Sequence, residues 1–482
     1  MKAFVRLFLG CITILLSIGV VAQNVDVIPV TEQAGINFQD STQKFLIGKI
    51  NIIGNKKTKL YIIQREIQVK QGDSIKANQL QLMLQLAQQQ VYNTALFIEV
   101  KIVPVFINTS TIDLKVTVKE RLYILPIPQF QLIDRNINEW LETYNASLSR
   151  VIYGMKFIHN NLSGRRDPLR IILLNGATRT IAASYTQPYS NVTLTRGFGF
   201  SASYSANKFF GYKTSSDNKL LFFNNNQYTR TTAFVNANYL VRNKMLDRHI
   251  FNLSYTFLKV SDSLLTTQYN PTYLKTPNNT ISFIDLSYTY QYVNVNNAAY
   301  PLKGAILSAT LSNRGLGMSS GLNRLMLEAN WGKYFAHKKN WYTSIETMGK
   351  LMLPFDQPYY NQRALGYGDA YLRGLEKYVI DGPLFFATKS TLKKKLCYLK
   401  IPLPFRSVSY PFIPITIFAK SFFDGGYVYS LAKDNTQLNN RFLYTAGLGV
   451  DFLTFYDVNL RVEYSFNQLG EKGIFLHAKA GL

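Results

Sequence analysis

The side chains that most often carry out catalysis or bind metals are few in this sequence and far apart. The four histidines share no spacing typical of a metal site; they are His159, His249, His337 and His477. The segment Gly317–Gly321 has the Gly-X-Ser-X-Gly pattern of a hydrolase nucleophile, but that motif needs a strand–turn–helix. Here it lies in a connection rich in Gly and Ser, and no histidine stands out as its base. We therefore predict that the chain is not an enzyme and has no catalytic, metal or cofactor site.

Positive charge is the strongest feature of the composition. Lys and Arg number 53 against 28 Asp and Glu, which gives a formal net charge of +25. In a soluble protein this excess would suggest nucleic-acid binding, but an exported protein meets little nucleic acid and we expect none as a partner. Two interpretations remain: basic side chains line a water-filled lumen, or they contact anionic lipid phosphates at a membrane surface. We favour the first.

Residues 1–22 are typical of a secretory signal peptide, which accounts for the expected export. A short basic start precedes the apolar run Leu7–Val21, and Val20 and Ala22 occupy the −3 and −1 positions of a cleavage site. An uncleaved anchor is the alternative, although this run of 15 residues is short for a membrane span of ~20. After cleavage Cys397 is the only cysteine, so no internal disulfide is possible. No later apolar run approaches the ~18 residues of a transmembrane helix, so we expect none.

Residues 44–121 have the pattern of a small α+β domain with the order β-α-α-β-β, preceded by a flexible leader at residues 23–43. The first strand, Lys44–Ile53, ends at a Gly-Asn turn, and Thr58 is predicted to cap the first helix. The buried face of that helix is predicted to carry Leu60, Ile63 and Ile67. The second helix has one apolar stripe, formed by Leu80, Leu84, Ala87 and Val91. Two alternating strands complete the domain.

Residues 122–145 contain Pro126 and Pro128 and a polar stretch, so we predict a linker. Over residues 146–482 the sequence alternates with period two in repeated segments of about 9–11 residues, the length of a tilted strand that spans a membrane. Residues 456–466 are the clearest case, with aromatic and aliphatic side chains on one face and polar ones on the other. We predict an all-β transmembrane antiparallel barrel, because only a closed barrel leaves no strand edge in lipid. A soluble β-sandwich is the alternative, but its strands are usually shorter.

The small domain resembles a POTRA domain, the periplasmic module of the BamA/TamA superfamily of outer-membrane assembly factors. The matching segments follow the family's order; they are Gly54–Thr58, Arg65-Glu66, Gly72-Asp73, Leu96-Phe97 and Val118–Arg121. The barrel resembles the same family independently, at Asn161–Arg165, Tyr185–Tyr189, Leu365-Gly366 with Leu372–Leu375, and Phe422–Val428. The resemblance implies an integral outer-membrane barrel of sixteen strands with its POTRA domain in the periplasm.

In this family the long sixth outer loop folds back into the lumen with an Arg-Gly signature, here Arg373-Gly374. In the strand 415–428, Asp424 shares the lumen-facing side with Lys420, because alternate residues face the same way. The resemblance implies that a bidentate pair between Arg373 and Asp424 anchors the loop, while Gly374 permits the backbone of a loop tip. Without the family, a solvated arginine on a mobile outer loop would be the simpler interpretation.

The sequence departs from the family pattern at several positions. Leu375 replaces an aromatic residue, and the strand after the loop carries Lys393–Lys395 where a second carboxylate for the arginine is expected. The last residue is Leu482 instead of Phe, and one POTRA domain is few for a housekeeping assembly factor. These differences leave Asp424 as the only acid predicted to pair with Arg373.

The resemblance implies an assembly or insertion factor whose partners are unfolded outer-membrane or secreted proteins, outer-membrane lipid, and periplasmic or lipoprotein accessory subunits. Clients are expected to add to the POTRA sheet along an edge strand that contains Ile98, Val100 and Ile102. They would then enter a seam between a first barrel strand near residues 148–158 and the last strand. The predicted seam residues of the last strand are Ile474, Leu476, Ala478, Ala480 and Leu482. Two alternatives remain: a dedicated pore for polypeptide secretion or lipid transport, and a passive or structural barrel.

Overall fold

A computed structural model describes residues 43–133, 145, 147–224, 227–316, 322–402, 412–431 and 436–479. The predicted signal peptide, residues 23–42 of the leader, the Gly317–Gly321 segment, and the seam residues Ala480 and Leu482 lie outside these ranges. Within the described part of the chain, no helix is long and apolar enough to cross a membrane.

The N-terminal domain packs two helices against a four-stranded mixed sheet. Its elements are β1 (Lys44–Ile53), α1 (Leu60–Glu66), β2 (Ser74–Lys76), α2 (Ala77–Tyr92), β3 (Phe97–Phe106) and β4 (Thr111–Glu120). The sheet order is β2-β1-β4-β3, with β1 parallel to β4 and the outer pairs antiparallel. The apolar stripe of α2 recurs on one helical face and is buried in the domain core, as the sequence predicts.

Three details of this domain differ from the sequence prediction. Strand β2 adds to the edge of β1, Thr58 does not cap α1, and Leu60 is exposed while Ile62 takes its place in the core. The Thr58 hydroxyl instead shares a hydrogen bond of 2.9 Å with the Tyr123 hydroxyl and accepts one from Asn161 Nδ2 at 3.0 Å. The cap prediction failed because partners distant in sequence occupy the oxygen that would have capped the helix.

The remaining described residues form a sixteen-stranded sheet in which every neighbouring pair is antiparallel. Its strands, in sheet order, are β5 (Ile124–Leu132), β6 (Val151–His159), β7 (Leu169–Gly176), β8 (Thr178–Gln187), β9 (Arg196–Asn207), β12 (Arg230–Val241), β13 (Asp247–Val260), β14 (Thr280–Val295), β15 (Gly304–Arg314), β16 (Arg324–Ala336), β17 (Trp341–Leu353), β20 (Leu384–Pro402), β21 (Phe412–Tyr429), β22 (Phe442–Thr454), β23 (Asn459–Asn467) and β24 (Lys472–Lys479). Two small hairpins lie in the connections: β10 (Phe209–Thr214) with β11 (Leu220–Asn224), and β18 (Arg363–Leu365) with β19 (Ile380–Asp381).

The two faces of this sheet differ as the period-two pattern predicts. On β21 the even-numbered residues from Phe418 to Val428 are buried, whereas Phe423 and Tyr427 on the other face are exposed. Other strands also carry exposed large apolar side chains, among them Phe200, Leu253 and Leu448. An apolar outer band of this extent is suited to lipid, and the buried polar side chains face the interior, here called the lumen.

The linker prediction is wrong for Ile124–Leu132, which form β5 and pair with β6 along their whole length. The first strand of the barrel sheet is therefore β5. The strand predicted near residues 148–158 is the second one, β6.

The two prolines that suggested a linker are tolerated because β5 is an end strand of the sheet. The Asn160 N–H, next to β6, donates to the carbonyl of Tyr123, next to β5. Because hydrogen-bonded positions alternate along an antiparallel pair, the odd-numbered residues of β5 are the ones that bond to β6. The nitrogens of Pro126 and Pro128 then point away from β6, towards the open side, where a missing N–H breaks no bond of this pair.

The N-terminal domain lies against one end of the barrel, here called the near end. Near-end turns at residues 160–168, 188–195, 242–246, 296–303 and 455–458 contact it. The opposite, far end carries the longest described connection, residues 354–383 between β17 and β20.

Candidate functional site

The connection of residues 354–383, here called the lumen loop, places its tip among the lumen side chains of the barrel. Arg373 lies at the tip, with its side chain 7% exposed. Its Nη2 lies 2.5 Å from Asp424 Oδ1 and its Nε lies 2.9 Å from Oδ2, which makes a bidentate pair. The backbone N–H of Arg373 also donates to Oδ2 at 3.1 Å, and Asp424 is fully buried. The structure thus brings together the two residues expected to anchor the loop.

Neutral groups of β20 bind the rest of the guanidinium, in the strand where the family pattern has a second carboxylate. Nη1 of Arg373 donates to the Thr391 hydroxyl at 3.0 Å, and Nη2 donates to the Ser390 carbonyl at 3.3 Å. The guanidinium Cζ lies 4.0 Å from the centroid of the Phe422 ring. Each nitrogen of the guanidinium therefore has an acceptor although only one acid is present.

Gly374 has the left-handed backbone of a loop tip, with φ of +94°. A Cβ at this position would lie 3.0 Å from the Cβ of Ser465 on β23. The Gly374 carbonyl accepts a hydrogen bond from Asn467 Nδ2 at 2.9 Å, and its N–H donates to Glu376 Oε2 at 2.7 Å. The tip is held closely against β23, so a side chain here would be strained by both backbone angle and space.

Leu375, which replaces the family's aromatic residue, is buried at 3% exposure. It lies in an apolar cluster with Leu438 and Leu443. Leu443 is on β22, and Leu438 precedes that strand at the far end of the barrel. A leucine therefore supplies the packing contact at this point of the lumen loop.

Basic side chains reach into the lumen, and several of them meet acids of neighbouring strands. Lys420 on β21 lies 2.5 Å from both Asp451 on β22 and Glu463 on β23. Lys393, one of the lysines that departs from the family pattern, lies 3.8 Å from Asp451. The hydroxyl of Tyr300, from a near-end turn, donates to Asp451 at 2.7 Å. These contacts link β20 to β23 across the polar face of the sheet.

The strand predicted to bind clients, β3, is an edge strand of the N-terminal sheet. It pairs with β4 on one side, and no strand among the described residues lies on the other. Odd-numbered residues bond to β4, so the backbone N–H and C=O groups of Val100 and Ile102 face the open side. Their side chains are buried in the domain core, and Ile98 is half-buried beside a bulge. A partner strand would therefore contact the backbone of β3. Its ladder of hydrogen bonds would extend only as far as Pro104, which has no N–H to donate.

The seam was predicted between the strand near residues 148–158 and the last strand, but the end strands of the sheet are β5 and β24, and in the described residues these two do not pair with each other. Ile474 and Leu476 of β24 point outwards and are 71% and 73% exposed. Ala478 follows on the same face. The facing strand is β5, whose Pro126 and Pro128 remove two N–H donors from the open side.

Sequence analysis missed a buried ionic contact between the two domains. Glu66 of α1 is 1% exposed, accepts two hydrogen bonds from Arg242, at 2.6 and 2.9 Å, and accepts one from the Tyr189 hydroxyl at 2.9 Å. Burial opposes ionisation of Glu66, but the charge and hydrogen bonds of Arg242 outweigh it and lower the pKa of Glu66 to about 2. Arg65 adds hydrogen bonds to the carbonyls of Leu194 and Arg242, at 2.6 and 3.0 Å. The family segments at 65–66 and 185–189 were visible separately, but Arg242 has no motif around it.

A second buried contact joins the domains on the other side of the near end. Asp457, in the turn between β22 and β23, lies 2.7 Å from Arg121 Nη2. The same carboxylate accepts hydrogen bonds from the Tyr92 hydroxyl at 3.0 Å and from Asn297 Nδ2 at 2.8 Å. Burial, helped by the charge of Asp457, raises the pKa of Tyr92. Two buried ion pairs thus fix the N-terminal domain to near-end turns that are far apart in sequence.

Comparison with known proteins agrees with this architecture. Residues 45–121 match the POTRA family, described as surface antigen variable number repeat. BamA from Haemophilus ducreyi lacking POTRA domains 1–3 is similar over 90% of this chain and 84% of that chain, with 16% identity and a TM-score of 0.51. CdiB from Escherichia coli is similar over 90% of this chain and 75% of that chain, with 11% identity and a TM-score of 0.52. A search of curated protein sequences finds no match.

The fold predicted from the sequence is confirmed, and the predicted resemblance of the small domain to a POTRA domain is confirmed by the family match. The chain has a POTRA domain followed by a sixteen-stranded antiparallel barrel, and it shares this fold with the BamA and CdiB structures.

Proposed function

We propose that the protein is an outer-membrane factor that receives unfolded polypeptides on its periplasmic POTRA domain and inserts or translocates them at the barrel. The observation that carries this proposal is the seam between β5 and β24, where both strands offer open backbone edges within the described residues. An unfolded segment can add to such an edge through main-chain hydrogen bonds, with little dependence on its sequence.

The POTRA edge supports the first step of this function. Val100 and Ile102 offer backbone groups while their side chains stay in the core, so binding would not require the domain to unfold. The ion pair of Glu66 with Arg242 holds that domain against the near end. A client bound at β3 would therefore stay close to the barrel opening.

The lumen loop distinguishes this proposal from a passive pore. Its tip is held in the lumen by Arg373 and Asp424, and free conduction would require it to leave. A dedicated secretion or lipid-transport pore is the second candidate, favoured by a polar lumen cavity of about 640 Å³ beside the loop. In that function the cargo crosses the lumen, so the loop must move, whereas insertion at the seam needs no such movement.

Depletion of the protein, followed by quantitative proteomics of outer membranes and culture medium, tests the proposal. A fall in many unrelated barrel proteins would support a general assembly factor, and loss of one secreted or surface protein would support a dedicated translocator. The control is a strain that also carries a second copy of the gene, whose expression continues during depletion. An unchanged protein profile would contradict both functions and favour a structural barrel.

A further inference from the structure

The lumen contains a cluster of one imidazole and two carboxylates that the contacts described above leave unexplained. Glu376 lies on the lumen loop, Glu463 on β23 and His477 on β24. His477 Nε2 lies 3.3 Å from Glu376 Oε1 and 3.4 Å from Glu463 Oε2. All three of these atoms are buried, and none has a hydrogen-bond partner among the described residues.

Buried polar atoms are almost always hydrogen-bonded, so three that converge at one point indicate a group that bridges them. Glu463 is the most informative of the three, because its side chain is fully buried. Lys420 lies against its Oε1, which leaves Oε2 directed to His477. This oxygen, the ring nitrogen of His477 and Oε1 of Glu376 all lie within 4.8 Å of one another.

We propose that Glu376, Glu463 and His477 bind a divalent first-row transition metal, with Zn²⁺ as the best fit. Bonds of ~2.0–2.2 Å from zinc to imidazole nitrogen and carboxylate oxygen place neighbouring tetrahedral ligands roughly 3.3–3.6 Å apart. The observed separations of 3.3 and 3.4 Å agree with this geometry. An imidazole ligand favours Zn²⁺ over Ca²⁺ or Mg²⁺, which prefer oxygen ligands. Three protein ligands leave the fourth position for water.

Neighbouring groups orient two of the ligands. The Gly374 N–H donates to Glu376 Oε2 at 2.7 Å, which directs Oε1 towards His477. The ring of Tyr371 is stacked on that of His477, with centroids 5.5 Å apart. Tyr371 also borders the lumen cavity of about 640 Å³, so a hydrated cation can approach the cluster from this side.

A metal at this position would join the lumen loop to the last two strands of the barrel. His477 belongs to β24, the end strand of the seam, and Glu376 lies three residues after Arg373 at the loop tip. The site is therefore additional to the anchor formed by Arg373 and Asp424. The site could not be recognised from the sequence, because its ligands lie on three separate elements.

Zinc titration of the full-length protein, purified in detergent without a histidine tag, tests the proposal directly. Isothermal titration calorimetry should show one Zn²⁺ per chain, and Co²⁺ should give the visible absorption bands of a four-coordinate site. His477→Gln and Glu376→Gln should each weaken Zn²⁺ binding by about 100-fold or more, since even outer-shell changes cost about 10–100-fold. His249→Gln is the matched control, because His249 is hydrogen-bonded to Tyr288, away from the cluster. This variant should bind Zn²⁺ as tightly as the unaltered protein does.

Each variant should first show the heat-modifiable gel mobility of a folded barrel. Glu376→Gln is the more robust variant, because Glu376 lies on the loop and not in a strand. The proposal is overturned if the unaltered protein binds no Zn²⁺ at millimolar concentration. It is also overturned if the folded Glu376→Gln and His477→Gln variants bind Zn²⁺ as tightly as the His249→Gln control.

Discussion

At the scale of single residues, we expect the position of the lumen loop to depend most on the Arg373–Asp424 pair. Both groups are buried, so removing one leaves the other as an unpaired charge, at a cost of ~3–5 kcal/mol. We expect Arg373→Ala and Asp424→Ala each to loosen the loop, to lower function and to leave the barrel folded. Limited proteolysis of residues 355–385 measures the loosening.

The matched control for this prediction is Lys275→Ala. Lys275 pairs with Asp356 of the same loop, but Asp356 is 81% exposed, and exposed pairs contribute about 0–1 kcal/mol. Its removal should leave the protease pattern nearly unchanged. Unchanged cleavage in both anchor variants would show that other contacts hold the loop.

Glu66 gives the POTRA junction a defined dependence on pH. Its pKa in the folded protein is about 2, below the ordinary value of 4.5, because the charge of Arg242 outweighs the effect of burial. A carboxylate whose pKa is lowered by folding stabilises the fold at pH values above its pKa in the unfolded chain. This contribution is lost as pH falls from about 4.5 towards 2. Protection of the α1 amides from hydrogen exchange, relative to the intrinsic exchange rate at each pH, should therefore fall between pH 5 and pH 3 in the unaltered protein.

The variant Glu66→Gln isolates this titration. It removes the ionisable group, so protection of the α1 amides should already be lowered at pH 6 and should change less between pH 5 and pH 3. If the two proteins show the same pH dependence, another group controls the junction.

At the scale of elements, we expect the two prolines of β5 to make a closed pairing of β5 with β24 weaker than the other pairings of the sheet. Pro126 and Pro128 remove two donors from the side of β5 that would face β24. We expect the double change Pro126→Val and Pro128→Val to strengthen the closed seam and raise the temperature at which the barrel loses its compact gel mobility. Insertion of clients should slow in the same variant, because the edge is less often free.

Pro301→Ala provides the control, since Pro301 lies in a near-end turn away from the seam. It should change neither the melting temperature of the barrel nor client insertion beyond a small amount. A double variant that melts at the unaltered temperature would mean that β5 and β24 do not pair when the barrel closes.

The elements that the sequence predicts well are those whose pattern is local. Period-two alternation predicts the barrel strands because each residue reports its own face, and the stripe of α2 does the same for a helix. Pro126 and Pro128 misled the prediction because a proline breaks a central strand but not an end strand, and position in the sheet is not a local property.

The candidate site was predictable only where a family pattern carried it. Arg373 and Asp424 were expected from the resemblance, whereas Glu66 lay in a family segment to which no contact was assigned, and Arg242 looks like an ordinary surface charge in sequence. Thr391 was missed for a similar reason: a hydroxyl replaces the expected acid, and nothing in its neighbours distinguishes it from other strand threonines.

At the scale of the whole molecule, the buried ion pairs at the near end join the POTRA domain to the barrel, and we expect the two to move together. Arg242→Ala would leave Glu66 buried without its main partner, again at ~3–5 kcal/mol. We expect this variant to broaden the distribution of distances between the two domains. Spin labels at Gln85→Cys and Lys338→Cys, in a Cys397→Ser background, would measure the distribution by electron paramagnetic resonance.

Lys244→Ala is the control for this experiment, because Lys244 is an exposed basic residue of the same turn. It should leave the distance distribution narrow. A narrow distribution in Arg242→Ala as well would assign the docking to Arg121 and Asp457 on the other side of the near end.

We expect the order of the strands to set the order in which the barrel folds. Almost every pairing in the sheet joins strands that follow each other in the chain, so the sheet can grow one hairpin at a time with little loss of chain entropy. Contact between β5 and β24 is different, because it must bring the two extremes of the barrel sequence together. We therefore expect refolding to produce an open, curved sheet first, and closure of the circle to be the slow final event.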